Sequence, residues 1–368
     1  MPRLCDSSRR PFADVQGRVH RKSLRCPFSR SQLERKLLIL TVFVSVLPPK
    51  LCMVRLLNVG SFPKIVFFAV YLAADVCHAQ DLAPRAYVIT PIHSNAVTLT
   101  YSLFDGSLLF EGTLPITGAT ARAHVAIFNY AHSLRLFGRT ANLTASLPYG
   151  VGNFRGTVVG AETLAHRSGL LPATFRFSMN LIGGPAMNVA EFMNWRQKTI
   201  LGVSFRLVPQ TGQYDPTRLI NFGTNRWAFK PELGYSRRWD HWILDAYGGA
   251  WCYTTNYEFF SHNQFSPGIN TQTQSPIGSF EGHLSYDFKP RLWVSLDGNY
   301  WFGGATSING VQNSSTLQRN SRVGGTSSIP LSRHHSIKFS YSNGAYIRYG
   351  GNFQNVSLAW QYSWLGRP

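Results

Sequence analysis

Residues 226–235, with the sequence RWAFKPELGY, alternate strictly between two kinds of side chain. One set is charged or small and the other is apolar and mostly aromatic: Arg226, Ala228, Lys230, Glu232 and Gly234 against Trp227, Phe229, Pro231, Leu233 and Tyr235. Successive side chains of a β-strand point to opposite faces, so the segment predicts a strand between a polar and an apolar environment. The same period of two recurs at 175–181, 201–207, 284–288, 292–297, 337–342 and 356–364.

Alternation alone does not separate a soluble β-sandwich from a membrane barrel, because a sandwich also alternates, with its apolar face inward. Three features favour the barrel. The apolar faces are aromatic at the strand ends, the polar faces carry charges of both signs, and Cys252 is the only cysteine after residue 80. Lipid requires an apolar exterior, and closure leaves no unpaired strand edge. The sequence therefore predicts an all-β fold, a transmembrane antiparallel β-barrel in the bacterial outer membrane.

Twelve candidate strands can be placed, and the connections between them alternate between short and long. The candidates are 96–105, 123–137, 139–149, 173–183, 198–209, 226–238, 241–253, 276–289, 291–302, 318–331, 335–347 and 352–364. Short periplasmic turns and longer extracellular loops are the pattern of outer-membrane barrels. The connection at 183–198 is too long for a tight turn and predicts a short periplasmic helix.

The first 79 residues differ from the rest. Residues 53–79 combine a basic start, an apolar middle and small residues before Gln80, which is the anatomy of a cleaved secretory signal peptide. Residues 1–52 are interpreted as an upstream extension ahead of a true start at Met53, because their apolar run is shorter than the roughly 20 residues of a membrane-spanning helix. The barrel is then expected over 80–368.

The formal net charge of +19 does not argue for nucleic acid as a partner. Residues 1–79 contribute +9 of it and the predicted barrel +10. Outer-membrane lipid is the expected surrounding of a barrel, and the remaining positive charge would suit the phosphates of lipopolysaccharide at the outer rim.

Several stretches resemble one bacterial family, the outer-membrane proteins named for the meta-pathway of phenol degradation. They are APRAYVITPIHSNAVTLTYS (83–102), LFGRTANLTASLPYGVGNFRG (136–156), TILGVSFRLVPQTGQYDPTRLINFGTNRWAFKPELG (199–234), NSRVGGTSSIPLSRHHSIKFSYSNGA (320–345) and LAWQYSW (358–364). The run from 211 to 234 is the most specific. The resemblance implies a barrel for the passage of aromatic or other small hydrophobic solutes.

The last predicted strand carries a second pattern. Ser357, Ala359, Tyr362 and Trp364 have the polar, small, aromatic, aromatic spacing of the C-terminal signal read by the barrel assembly machinery. Four residues follow the final aromatic, which departs from the usual signal. The assembly machinery is nevertheless an expected partner.

Six charged residues on the polar faces of the predicted strands are the candidates for lining the lumen: Arg176, Arg206, Arg226, Lys230, Glu232 and Asp245. Two interpretations stay open. The residues contact a solute in an open channel, or they pair with one another and close a structural or adhesion barrel, since side chains can still fill much of a barrel of this size.

Other chemistry is weakly represented. A lipid-modifying enzyme would need a serine and a histidine on the outer surface, whereas His283 and Ser285 fall on the lumen face. Asp215, with Asn221 and Asn225, either binds a cation or caps its own turn. The chain has no Walker loop, dinucleotide fingerprint, nucleophile elbow or zinc spacing, so neither an enzyme nor a cofactor or metal is expected.

Overall fold

A computed structural model describes residues 82–109, 116–158, 160–218, 220–263 and 267–366. The predicted signal peptide at 53–79, the extension at 1–52 and the cleavage boundary before Gln80 lie outside the described residues. Sixteen strands and one α-helix are described in this part of the chain. They are β1 Ser94–Leu109, β2 Ile116–Leu136, β3 Arg139–Val158, β4 Ala161–Leu170, β5 Thr174–Ile182, α1 Val189–Asn194, β6 Thr199–Val208, β7 Ala228–Trp239, β8 Trp242–Tyr253, β9 Gln272–Gln274, β10 Ile277–Lys289, β11 Leu292–Gly303, β12 Thr306–Ile308, β13 Val311–Asn313, β14 Gln318–Pro330, β15 His335–Ile347 and β16 Gly350–Leu365.

Twelve of these strands close into one antiparallel barrel. The order around the wall is β1, β2, β3, β5, β6, β7, β8, β10, β11, β14, β15, β16 and back to β1. The closing pair β1–β16 is in register from Ser94 opposite Leu365 to Leu109 opposite Gly350. Each of the twelve candidate strands overlaps one barrel strand, so the predicted fold class and strand number are confirmed.

The two ends of the barrel differ in their connections. At one end the strands are joined by tight turns, such as Phe137-Gly138 and Asp240-His241, and by the segment that contains α1. The helix begins with a capping box in which Asn188 and Glu191 bond each other's backbone N–H, which satisfies two N-terminal donors. This end is periplasmic by the rule of short turns. No helix in the described part of the chain is long and apolar enough to cross a membrane.

The loop end carries structure that the sequence pattern did not predict. β2 and β3 have 21 and 20 residues, about twice the 9–11 needed to cross a bilayer, and β4 pairs with the outer part of β3. Residues 171–173 separate β4 from β5. The short strands β9, β12 and β13 form a separate small sheet within the outer loops.

The outer and inner faces of the wall follow the alternation. Leu233 is 53% exposed and Phe205 is 46% exposed on the outer face, while Glu232 and Ser204 beside them are buried. Rings on the outer face contact one another, as between Phe205 and Phe229. An apolar, aromatic exterior and a polar interior are what a barrel in lipid requires.

Candidate functional site

The lumen contains a segment of the chain itself. Residues 82–93, called here the N-terminal segment, precede β1 and lie inside the barrel near its turn end. Tyr87 and Ile89 are 1% and 2% exposed and pack against Met187, Ile200 and Tyr247. The backbone bonds Ile92 N to Met187 O at 2.9 Å and His93 N to Ser133 O at 2.8 Å fix where the segment joins the barrel wall.

Tyr87 is held in a slot made by two glycines. Gly202 and Gly234 lie opposite each other on β6 and β7. A Cβ added to either would come within 2.4 Å or 2.0 Å of the Tyr87 ring, so only glycine leaves room for it. At the end of the slot, the Tyr87 hydroxyl donates to Glu232 Oε1 at 3.0 Å. Ser204 Oγ lies 3.2 Å from the Tyr87 hydroxyl oxygen and 3.2 Å from Glu232 Oε1.

Arg85 and Ala86 contact charged side chains on the inner face of the barrel. Arg85 Nη2 lies 2.6 Å from Asp287 Oδ1, and its guanidinium stacks 4.3 Å from the Trp293 ring centre. Arg85 N donates to Asp245 Oδ2 at 3.2 Å. Ala86 O accepts from Arg176 Nη1 at 3.1 Å. The N-terminal segment is therefore fixed by side chains from strands between β5 and β11.

Three of the six lumen candidates form one row of cations. Arg176 on β5 is opposite Arg206 on β6, which is opposite Lys230 on β7. Like charges directly opposite each other in a sheet are destabilising, and two carboxylates offset the repulsion. Glu232 lies 3.3 Å from Arg176 and 2.8 Å from Lys230, and Glu281 lies 2.8 Å from Lys230.

The remaining candidates lie at different depths. Arg226 is at the loop end, where Nη2 donates to Gln274 Oε1 at 2.6 Å and the guanidinium stacks 4.3 Å from Tyr253. Asp245 is 1% exposed and bonds the backbone of the N-terminal segment. Thus the N-terminal segment is contacted by Arg176, Glu232 and Asp245. Lys230 forms ion pairs with the carboxylates of Glu232 and Glu281.

Several charged residues of the lumen are not among the six sequence candidates, although the sequence pattern places His283 on the lumen face. His283 Nδ1 lies 2.9 Å from Asp297 Oδ1, and Thr326 donates to the other Asp297 oxygen at 2.8 Å. Glu281 and Lys338 also point inward. Their strand parity alone would have found all four, because each shares a face with predicted polar positions.

Beside the N-terminal segment lies a cavity of about 590 Å³. One wall of it, from β16 through β1 and β2 to β3, carries small or uncharged side chains: Ala96, Thr98, Thr100, Asn129, Ser146 and Gln361. The other wall carries Arg176, Arg206, Glu232, Trp251 and Glu281. These are called here the uncharged wall and the charged wall.

Aromatic side chains cluster at the loop end of the lumen. Phe259 and Phe260, from the connection between β8 and β9, are buried against Leu108, Phe154 and Phe353 of the barrel strands. Ser261 N donates to Pro216 O at 2.8 Å, which joins this connection to the one between β6 and β7. The outer mouth is therefore lined by apolar rings.

The other sequence candidates have structural roles. Asp215 accepts from Thr217 N at 3.0 Å and from its hydroxyl at 2.6 Å, and these bonds lower the pKa of the Asp215 carboxyl. Asn221 Oδ1 accepts from Asp215 N at 2.9 Å, so the turn interpretation is confirmed. In the described part of the chain, no three His, Cys, Asp or Glu side chains are grouped as metal ligands.

The residues of the predicted assembly signal lie on β16. Tyr362 and Trp364 stack with ring centres 5.4 Å apart, and Tyr362 also contacts His335 on β15 at 5.0 Å. Ser357 and Ala359 lie on the inner face of the strand. Recognition by the assembly machinery stays a prediction.

The closed wall, its lipid-facing exterior and its polar lumen define a bacterial outer-membrane β-barrel. The chain matches the family model described as "Putative MetA-pathway of phenol degradation" over residues 100–364, and it belongs to that family. The family resemblance inferred from the sequence is thereby confirmed.

Two solved structures align with this chain, and the first of them has the same barrel fold. The COG4313 outer membrane channel from Pseudomonas putida F1 aligns with a TM-score of 0.65 at 18% identity, over 77% of this chain and 100% of its own. The transport unit of the autotransporter AIDA-I from Escherichia coli aligns with a TM-score of 0.45 at 11% identity, over 83% and 98%. Among curated proteins, none matches this chain in sequence.

Proposed function

We propose that this protein is a passive outer-membrane channel for small hydrophobic or aromatic compounds. The observation that carries the proposal is the cavity of about 590 Å³ beside the N-terminal segment. Its volume is in the range of about 300–1,000 Å³ that is usual for small-molecule sites. The buried aromatic cluster at the outer mouth gives an apolar solute a compatible route toward it. Family membership and the likeness to an outer membrane channel support the same function.

The path out of the cavity follows from its boundaries. The N-terminal segment covers the turn end, so a solute that crosses the lumen must displace it or pass beside it. A lateral route is the alternative. β3 pairs with β5 only over 141–146, and Pro148, Leu171 and Pro172, where that pairing ends, line the cavity. A proline lacks the donor that a ladder needs, which keeps this part of the wall weakly paired.

A structural barrel with a closed lumen is the second candidate. The ion pairs of Arg85, Arg176 and Lys230 with buried carboxylates favour it, because they fix the N-terminal segment in place. A catalytic role has less support. Ser285 Oγ and His283 Nε2 are buried and have no hydrogen-bond partner in the described residues, so they do not form a nucleophile–base pair. We infer that the protein acts without catalysis and without a cofactor.

Two partners are proposed alongside the solute. Exposed arginines at the loop end, Arg122, Arg155, Arg319 and Arg348, are placed to meet lipopolysaccharide phosphates. Tyr362 and Trp364 would be read by the assembly machinery before the barrel closes.

Uptake by intact cells tests the function. Cells that express the protein and cells that lack it are supplied with radiolabelled toluene or sucrose, because lipopolysaccharide slows the entry of both kinds of solute. We expect cells that express the protein to take up toluene faster than cells that lack it, and sucrose uptake to be the same in both. Tyr87→Ala, which loosens the N-terminal segment, should raise toluene uptake further, whereas Tyr257→Ala, at an exposed loop position, should not. No gain with any variant would favour the structural barrel.

A further inference from the structure

Lys338 has an unusual position for a charged side chain. It lies on β15, next to the uncharged wall, and lines the cavity. Its cross-strand neighbour is Ala359, which is followed in the same row by Thr100 and Ile127. Among the described residues, no hydrogen bond or ion pair to the Lys338 ammonium is present. A charge at membrane depth is costly and is a functional candidate by default.

The charged residues around the cavity carry an excess of positive charge. The cavity is lined by four cations, Arg85, Arg176, Arg206 and Lys338, and by two carboxylates, Glu232 and Glu281. Partners behind the lining belong in the count: Lys230 lies 2.8 Å from each of the two carboxylates, and Arg85 contacts Asp287 and Asp245, which leaves five cations against four carboxylates. The field in the cavity therefore favours an anion.

The rest of the lining suits an apolar body. Phe104, Val125, Ile127 and Leu171 line the cavity together with Trp251. An apolar space with a few polar anchors is the usual form of a small-molecule site. The occupant that matches both features is a small molecule with an aromatic or aliphatic body and one negative group.

We propose that the cavity binds small aromatic carboxylates, with the Lys338 ammonium as the anchor for the carboxylate and the apolar residues around the ring. This inference rests on the proposed channel function. Among the aromatic solutes proposed for the channel, it specifies ionised aromatic acids. Arg206 on the opposite wall supplies a second positive charge to the same space.

Binding to the purified full-length protein in a non-ionic detergent tests the proposal by titration calorimetry. The probes are benzoate and benzyl alcohol, which share a ring and differ in charge. We expect benzoate to bind more tightly than benzyl alcohol. Lys338→Gln should weaken benzoate about tenfold or more, the loss expected for a hydrogen bond to a charged group, and leave benzyl alcohol unchanged. Lys338→Arg should retain most of the affinity.

The matched control is Lys289→Gln, which removes the same charge at the exposed end of β10 and should not change benzoate binding. Arg206→Gln is the second variant and should also weaken benzoate. Equal binding of the two probes to the wild type, or equal effects of Lys338→Gln and Lys289→Gln, would overturn the proposal. Toluene uptake without Lys338-dependent benzoate binding would leave the channel intact and refute this inference. The reverse pattern would support the site and refute transport.

Discussion

The charged and uncharged walls of the lumen belong to the same sheet, yet their inner faces differ in what they hold. Strands β5 to β11 carry nearly all of the ion pairs and bind the N-terminal segment through Glu232, Asp245 and Asp287. Strands β16 and β1 to β3 carry threonine, serine and alanine and border open space. The difference shows that charge on a lumen face does not by itself mark the solute path. Here much of the charge fixes a segment of the chain, and the open space lies between that segment, the charged wall and the uncharged wall.

The largest effect is expected from Lys230, which is 2% exposed and bonds two carboxylates. Lys230→Met removes the ammonium that pairs with the Glu232 and Glu281 carboxylates. Removal of one partner from a buried ion pair costs about 3–5 kcal/mol. Denaturant unfolding of the folded barrel, followed by its heat-modifiable migration on gels, measures the loss. Thr100→Ala on the uncharged wall is the control and should cost less than about 1 kcal/mol; equal losses would remove the distinction between the walls.

Leu233 lies next to Glu232 on β7 but faces outward. Leu233→Arg should destabilise the barrel by about 2–4 kcal/mol if the residue lies at mid-bilayer, without changing the contacts of the N-terminal segment. Phe137→Arg, at a turn where the ring is 87% exposed, should cost about 0–1 kcal/mol because it is near the interface. Unfolding in lipid vesicles gives both values. If the two variants lost the same stability, the assignment of the outer face would be wrong.

Gly234→Ala tests the slot for Tyr87. The new methyl would lie 2.0 Å from a ring carbon, and overpacking of this kind costs about 1–3 kcal/mol. The ring should leave the slot, and limited proteolysis should then cleave the N-terminal segment faster. Gly282→Ala, on β10, adds a methyl that meets nothing within 4 Å and should leave cleavage unchanged. Protection that survives in Gly234→Ala would show that the slot does not hold the segment.

The smallest effect is expected from Tyr87→Phe. The ring stays in the slot, and only the contacts of the hydroxyl with Glu232 and Ser204 are lost. A hydrogen bond to a charged group is worth about 1.5–3 kcal/mol, and the loss should lie at the lower end because Glu232 keeps its contacts with Ser204, Arg176 and Lys230. Proteolysis of the N-terminal segment should rise less than in Gly234→Ala. A rise as large as in that variant would mean that the hydroxyl, rather than the ring, holds the segment.

Much of the wall could be predicted from the sequence because a period of two is a local property. Arg226 and Trp227, for example, are assigned to opposite faces by parity alone. The N-terminal segment could not be found in this way, since Arg85 to Ile89 have no strand period and their partners, such as Arg176 and Glu232, lie 90 or more residues away. The slot of Gly202 and Gly234 appears only when β6 and β7 are paired in register. β4 was not predicted, because it pairs with the outer part of β3, beyond the length of strand that a membrane crossing needs.

Site-directed labelling of the two walls tests the central claim most directly. In a Cys252→Ser background, Thr98→Cys reports on the uncharged wall and Ser204→Cys on the floor of the Tyr87 slot, and a small neutral methanethiosulfonate reagent measures their accessibility by mass spectrometry. We predict rapid labelling of the Thr98→Cys protein and protection of the Ser204→Cys protein, with protection lost when Tyr87→Ala is added. Equal labelling of both proteins, or protection that does not depend on Tyr87, would contradict a lumen in which the N-terminal segment covers the β6–β7 part of the charged wall.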